Sequence, residues 1–352
     1  MNRHLMGADF YNMHMRNNML SMLIHMRTVH EDVPGEKWQH LFYKLWPFYR
    51  RWYLREGFGA RPGFLTCYEK LETHMPELLP VYHQLCQLTG NGDLEARYLS
   101  MWNPPAFMSG CSQMTYSSGG STALLRNYDY SPALFDGIFI KTNWLQPVMG
   151  MMDSSWGLLD GINASGLAVS LTFGGRNIMG NGFGIPLVLR YVLETCHNTY
   201  DAIQVLCRMP VHMAYNVTVA DKSGFTNTVY LSPDRSPLVT DDAFCTNHQI
   251  TVEWEDYARI SGTQERMQYL RKLWNNKLLS INDMASKFLN APLYNTQYEK
   301  SFGTLYSAVY LPGTGEVNLL WPNRAVTLSF QHFPEELHII NVSKQINSLL
   351  VS

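Results

Sequence analysis

From residue 111 onward, stretches rich in β-forming residues come in blocks, and the helical stretches between them come in pairs. A hairpin-like run over 111–130 is followed by strand-like Trp156 to Asp160 and Leu167 to Phe173, joined by a turn over Gly161–Gly166. Apolar residues at 185, 189, 192, 193 and 196 then predict a helix over Ile185 to Cys196. Thr199 and Asp201 open a second helix that Pro210 stops. Strands return over Met213–Ala220, Thr226–Leu231 and Leu238–Thr246. A helix opened by Thr263 carries Met267, Leu270, Trp274 and Leu278 on one face, and Asn282 caps a short one after it. The last strands fall near 303–311, 316–321 and 325–330. This order is not the alternation of strand and helix that builds a parallel sheet. It is satisfied by two stacked sheets, each covered by a helix pair, which is an α+β architecture.

The chain before residue 111 reads differently. Residues 1–33 are rich in methionine and histidine, show no clear period, and receive no element. From Pro34 to about Arg55, large apolar residues spaced by three and four predict an amphipathic helix. Its basic edge (Arg50, Arg51, Arg55) fits a solvated helix face better than a membrane surface. Gly57 to Gly63 is a linker, and a second helix over Leu65–Leu88 is kinked or split by Pro76 and Pro80. Trp102-Asn103-Pro104-Pro105 is extended, because residues before proline avoid the helical region. Two units follow: a mostly helical segment over 1–110 and a sandwich over 111–352.

Bulk properties exclude several classes. A net charge of −2 gives no electrostatic case for nucleic acid or an anionic membrane. The longest early apolar run, Met19 to Ile24, is too short for a signal peptide core and lacks a small-residue cleavage site. No stretch is long enough to span a membrane. Six cysteines at 67, 86, 111, 196, 207 and 245 lack C-x-x-C spacing, so neither a zinc site nor a disulfide framework is indicated. A cytoplasmic location, no metal and no cofactor are expected; a homo-oligomer is compatible with the composition.

One cysteine departs from the ordinary reading of a small buried hydrophobe. Gly110-Cys111-Ser112-Gln113-Met114-Thr115-Tyr116 and Thr122-Ala123-Leu124-Leu125-Arg126-Asn127-Tyr128-Asp129 flank the turn residues Ser117-Ser118-Gly119-Gly120-Ser121. Two glycines supply the positive φ that a tight hairpin demands. Folding about them lays Cys111 opposite residues 127 to 129. Arg126 would hold positive charge beside the sulfur and favour the thiolate. Arg126 and Asp129 point to opposite faces of a regular strand, so both reach the thiol only if that strand bulges or ends near Asn127. The histidine nearest in sequence, His83, precedes Cys111 by 28 residues, so no neighbouring histidine offers itself as base. Cutting the Gly110–Cys111 bond would free an α-amino group titrating at about 7.7–8.0 on the nucleophile's own Cα.

These residues resemble the N-terminal-nucleophile (Ntn) hydrolases, specifically the acyl-coenzyme A:6-aminopenicillanic acid acyltransferase family, and more distantly the bile-salt and penicillin V hydrolases. The resemblance runs from about residue 98 to about 330. It implies a four-layer αββα sandwich and a precursor that cleaves itself before the cysteine. The implied activity is hydrolysis of a linear amide through a thioester; transfer of the acyl group to an amine, or a non-catalytic binding protein on the same fold, are the alternatives. It implies Cys111 as nucleophile, Arg126 beside the sulfur and Asp129 orienting the α-amino group. Asn247, in Thr246-Asn247-His248, would be the oxyanion donor, and Arg266 the arginine opening the following helix. Thr172 and Asn216 are the substrate-binding candidates: Thr172 falls where the bile-salt hydrolases have asparagine, which leaves its role open, and Asn216 either lines the pocket or satisfies the core, the second being the preferred reading. The expected partner is a small-molecule amide.

Overall fold

The computed structural model describes residues 23–342. The opening to residue 22, which contains most of the Met- and His-rich stretch and of the short apolar run, lies outside the described residues, as does 343–352. The first element is a strand, β1 (Leu23–His30). Four helices follow: α1 (Glu36–Tyr53), α2 (Phe64–His74), α3 (Leu79–Leu88) and α4 (Asp93–Leu99). The expected split falls at Pro76. Met75 leaves the helical region at φ −138°, and Pro80 sits in the first turn of α3, where its missing N–H costs nothing. Trp38, Phe42, Trp46, Tyr49 and Tyr53 make the buried stripe of α1.

The cysteine hairpin is β2 (Gly110–Ser118) and β3 (Ser121–Tyr130), with Gly119 and Gly120 at φ +60° and +76° in a two-residue turn. Next come β4 (Ile138–Asn143), β5 (Pro147–Asp153), β6 (Gly157–Asn163) and β7 (Leu167–Phe173). The expected helix pair is α5 (Ile185–Thr195) and α6 (Thr199–Arg208), and β8 (Tyr215–Asp221) and β9 (Thr226–Ser232) form the hairpin after it. The run read as one strand over Leu238–Thr246 is two, β10 (Arg235–Thr240) and β11 (Phe244–Cys245), which join different sheets. Helices α7 (Glu255–Ser261), α8 (Thr263–Asn275) and α9 (Ile281–Phe288) follow. The cap of α9 is Ser280, whose side chain and that of Asp283 form a reciprocal capping box, and not Asn282. Leu278 lies past the end of α8 and is exposed. The chain closes through β12 (Thr296–Gln297), β13 (Phe302–Leu311), β14 (Glu316–Trp321), β15 (Arg324–Ser329) and β16 (Leu337–Asn341).

Two sheets face each other. One runs β10-β9-β8-β7-β6-β5-β4-β1-β16; the other runs β11-β2-β3-β13-β14-β15, with β12 on the edge of β13. Helices α5 and α6 lie on the first, α8 and α9 on the second, giving the four layers αββα. Strand alternation then sorts side chains. Met114, Tyr116, Leu125 and Val309 point outward into one core with α8 and α9, while Cys111, Leu124, Tyr128, Tyr306 and Tyr310 point inward between the sheets. Helix α5 is buried on every side, its Arg190–Glu194 pair included. Buried residues of α1–α4 join the same hydrophobic cluster as the inter-sheet layer. Trp38 Nε1 donates to the Ser155 carbonyl at 2.7 Å and Trp156 Nε1 to that of Leu99 at 2.9 Å, tying the two parts together.

Candidate active site

The two-residue turn fixes the hairpin register, and it pairs Cys111 with Tyr128 and Gly110 with Asp129. Arg126 and Cys111 therefore share the inward face, with Arg126 Nη2 3.3 Å from the sulfur. The pairing of β2 with β3 is unbroken; the irregularity near this point lies on β13, between Thr304 and Tyr306. Asp129 accordingly points to the other face and does not touch the thiol. It accepts from Thr304 Oγ1 at 2.6 Å, its Oδ1 taking that bond, and lies 4.0 Å from Arg266 Nη1. Its buried Oδ2 has no hydrogen-bond partner among the described residues. The Cys111 nitrogen, expected beside Asp129, instead donates to Asn247 Oδ1 at 2.8 Å.

Asn247 follows β11, and β11 pairs with β2. Arg266, in the first turn of α8, is buried rather than solvated. Its Nη1 donates to the Cys111 carbonyl and, at 2.8 Å, to Ser112 Oγ; its Nη2 reaches Asn247 Oδ1 at 2.7 Å. Thr172 and Asn216, the substrate-binding candidates, make no such surface, and Asn216 takes the core-satisfying role preferred for it. Thr172 Oγ1 donates to the Thr246 carbonyl at 2.9 Å, and Asn216 Nδ2 bonds Thr172 Oγ1 and the carbonyls of Thr246 and His248. Paired across β7 and β8, they pin the loop that presents Asn247. Gly110 has a packing reason to lack a side chain: a Cβ there would run into the Phe302 ring and crowd Asp129.

Three contributors were missed in the sequence. The Ser109 carbonyl accepts from Asn247 Nδ2 at 3.1 Å and from the hydroxyl of Tyr257, on α7, at 2.8 Å. Two donors on one carbonyl oxygen is the arrangement an oxyanion needs. The third is a buried cluster on Asp160 of β6. Arg126 Nη1 donates to its Oδ2 at 2.7 Å, Tyr306 does so at 2.5 Å, and Tyr310 donates to Oδ1. Tyr306 and Tyr310 are four apart on one strand and so share a face, and that period of two was the readable signal.

The electrostatics differ from expectation in one respect. Burial pushes the Cys111 thiol up, and Arg126, Ser109 and Arg266 only partly offset this while Asp129 adds to it. In the intact chain the cation does not prevail over desolvation. Burial also works against the Arg126 charge, but Tyr306, Asp160 and Cys111 around it more than compensate. Asp129 is raised by burial against Arg266, Thr304 and Arg126.

A second acidic pair lies behind the hairpin. Tyr49 of α1 donates to Asp136 Oδ2 at 2.7 Å, and Ser154 bridges, its N–H on the Tyr49 oxygen at 2.9 Å and its Oγ on Asp153 at 2.6 Å. Burial raises Asp136, with Asp153 adding to it, and burial raises Asp153 to about 6 against Ser154 and Arg126. A carboxyl whose folded value exceeds its unfolded one stabilises the fold below the unfolded value and loses that contribution as pH rises through the folded one. Asp153→Asn, which can still accept from Ser154, is therefore expected to raise the melting temperature by a few degrees at about pH 8 and to change it little at about pH 4. Thermal melts across that range check it; an equal shift at both ends would refute the assignment.

A four-layer αββα sandwich with a cysteine at the head of an inner strand defines the class of Ntn hydrolases. The model of the acyl-coenzyme A:6-aminopenicillanic acid acyl-transferase family matches residues 116–325, more than half of the chain. The chain belongs to that family, and with it to the enzymes that act on amides. A comparison with curated proteins finds no match. Among solved structures, an N-acylethanolamine-hydrolyzing acid amidase ortholog from Caenorhabditis elegans is similar at 17% identity and TM-score 0.45, over 65% of this chain and 99% of that one. A conjugated bile acid hydrolase variant from Clostridium perfringens gives 12% and 0.43, over 65% and 96%. The penicillin V acylase of Agrobacterium tumefaciens gives 14% and 0.44, over 63% and 86%. No described helix is long and apolar enough to cross a membrane.

Proposed function

We propose that this chain is a self-processing amidohydrolase with Cys111 as its N-terminal nucleophile, cleaving a linear N-acyl amine through a thioester. One observation carries the reading. A single asparagine and a single arginine grip both backbone polar groups of Cys111, and a second arginine stands 3.3 Å from its sulfur. Processing begins when the thiol of Cys111 adds to the Gly110 carbonyl carbon. The C–N bond breaks, the thiol proton passes to the nitrogen, and water splits the resulting thioester to leave Gly110 as a carboxylate. The products are a 1–110 segment and a 111–352 chain with a free α-amino group, held by Asn247 Oδ1.

In turnover the sulfur attacks the substrate amide carbonyl. Asn247 Nδ2 and the Tyr257 hydroxyl, which hold the Ser109 carbonyl in the intact chain, would donate to the oxyanion. The α-amino group carries the proton to the leaving amine, and water takes the acyl group. A second reading, transfer of the acyl group to an amine, is favoured by the chemistry in the family's own description. It uses the same residues, with an amine in place of water.

Intact mass joined to an N-acyl amine panel, with and without an acceptor amine, tests the reading. The expected result is a chain split between Gly110 and Cys111 that releases free acid, or a new amide when an acceptor is present. A chain that stays whole and turns over no member of the panel overturns it in favour of a binding protein.

A further inference from the structure

A cavity of about 660 Å³, well within the range of small-molecule sites, opens at the seam between the helical segment and the sandwich. Cys111 does not line it. Its apolar lining includes Trp102, Met209, Val211 and Leu231. Lys70 and His74 from α2, Arg208 from the end of α6, and Arg235 from β10 line it too. No aspartate or glutamate lines it.

The cations are not equally neutralised. Arg235 is held by Glu253 through two bonds of 2.6 and 2.8 Å, so its charge is matched. Arg208 instead donates to the His74 carbonyl at 3.0 Å and to the Tyr191 hydroxyl at 2.8 Å, and among the described residues it pairs with no carboxylate. Among the described residues Lys70 pairs only with its chain neighbour Glu69, at 3.6 Å, and its Nζ lies 6.0 Å from the centre of the Trp102 ring. Two cations with weak or no carboxylate partners thus converge on an apolar basin. The positive field registers on the group between them, for Lys70 and Arg208 both add to the burial that lowers His74.

We infer that this cavity is a binding site for an amphipathic organic anion, its acidic head on Lys70 and Arg208 and its hydrocarbon or aromatic body on Trp102, Met209 and Leu231. A neutral molecule of the same shape would leave the two cations uncovered, and a bare small anion would leave the basin wet. Both halves are needed.

Cys207 also lines the cavity and, among the described residues, is the one exposed cysteine, so it reports occupancy. Iodoacetamide labelling of Cys207, read by peptide mass, is measured with laurate, with dodecanol and with acetate. Laurate is expected to slow labelling while dodecanol and acetate do not. Lys70→Ala, at a half-buried lysine, is expected to raise the laurate concentration giving half protection about tenfold, the cost of one hydrogen bond to a charged group. Labelling unmoved by laurate, protection by dodecanol or acetate equal to that by laurate, or protection unchanged in Lys70→Ala overturns the inference. The readout needs no turnover, so its failure leaves the role of Cys111 untouched, and the reverse.

Discussion

A Cys111→Ala chain is expected to stay a single polypeptide and to release no acid or amide product, a loss on the order of 10⁶ in kcat if the thiol is the nucleophile. The side chain is small, and its replacement by alanine removes one buried sulfur, so the fold should lose only about 1 kcal/mol. Two assays on one sample separate the causes. Intact mass reads processing, and far-UV circular dichroism with a thermal melt reads the fold. A variant chain that still divides at residue 110, or that still turns over substrate, would remove Cys111 from the chemistry. The expected pattern is a native melt, one mass and no product.

The second large effect is at Asp160. The carboxylate is fully buried and takes donors from Arg126, Tyr306 and Tyr310. Asp160→Asn keeps an acceptor but removes the charge, leaving a buried guanidinium uncompensated, which typically costs about 3–5 kcal/mol. The same change should alter chemistry, because Arg126 now divides its field between Asp160 and the sulfur. Released from the carboxylate, it acts more fully on the thiol and favours the thiolate. The acidic limb of the kcat/KM profile of the processed enzyme should therefore move to lower pH. A variant that is merely less stable, with its acidic limb in place, would show that Asp160 supports the fold without tuning the nucleophile.

What the sequence disclosed follows the range of the interactions. Gly119 and Gly120 specify a two-residue turn, and a turn specifies register, so the Cys111–Arg126 proximity was legible from twenty consecutive residues. The helix pairs were legible because α5, α6, α8 and α9 carry apolar residues at helical spacing. Strands β1 and β16 were not: they pair with each other across about three hundred residues, and nothing local in Leu23–His30 marks it for neighbours at Leu337–Asn341 and Ile138–Asn143. The Asp160 cluster fails for the same reason: its donors come from positions 34, 146 and 150 residues away. Asp129 was misplaced because the irregularity opposite it belongs to β13, a strand no local reading of β3 can see. Thr172 and Asn216 were candidates by the family resemblance of their surroundings alone. Here they answer to the backbone of 246–248.

The grip of Asn247 and Tyr257 on the Ser109 carbonyl has a kinetic corollary. On the proposed processing, the segment ending at Gly110 would be a tethered competitor, delivered at the millimolar effective concentration that short linkage gives, and cutting its bond would not by itself loosen its hold. Onset of activity should then lag behind peptide scission by the time the severed tail needs to withdraw, and a synthetic peptide ending at Gly110 should restore the block.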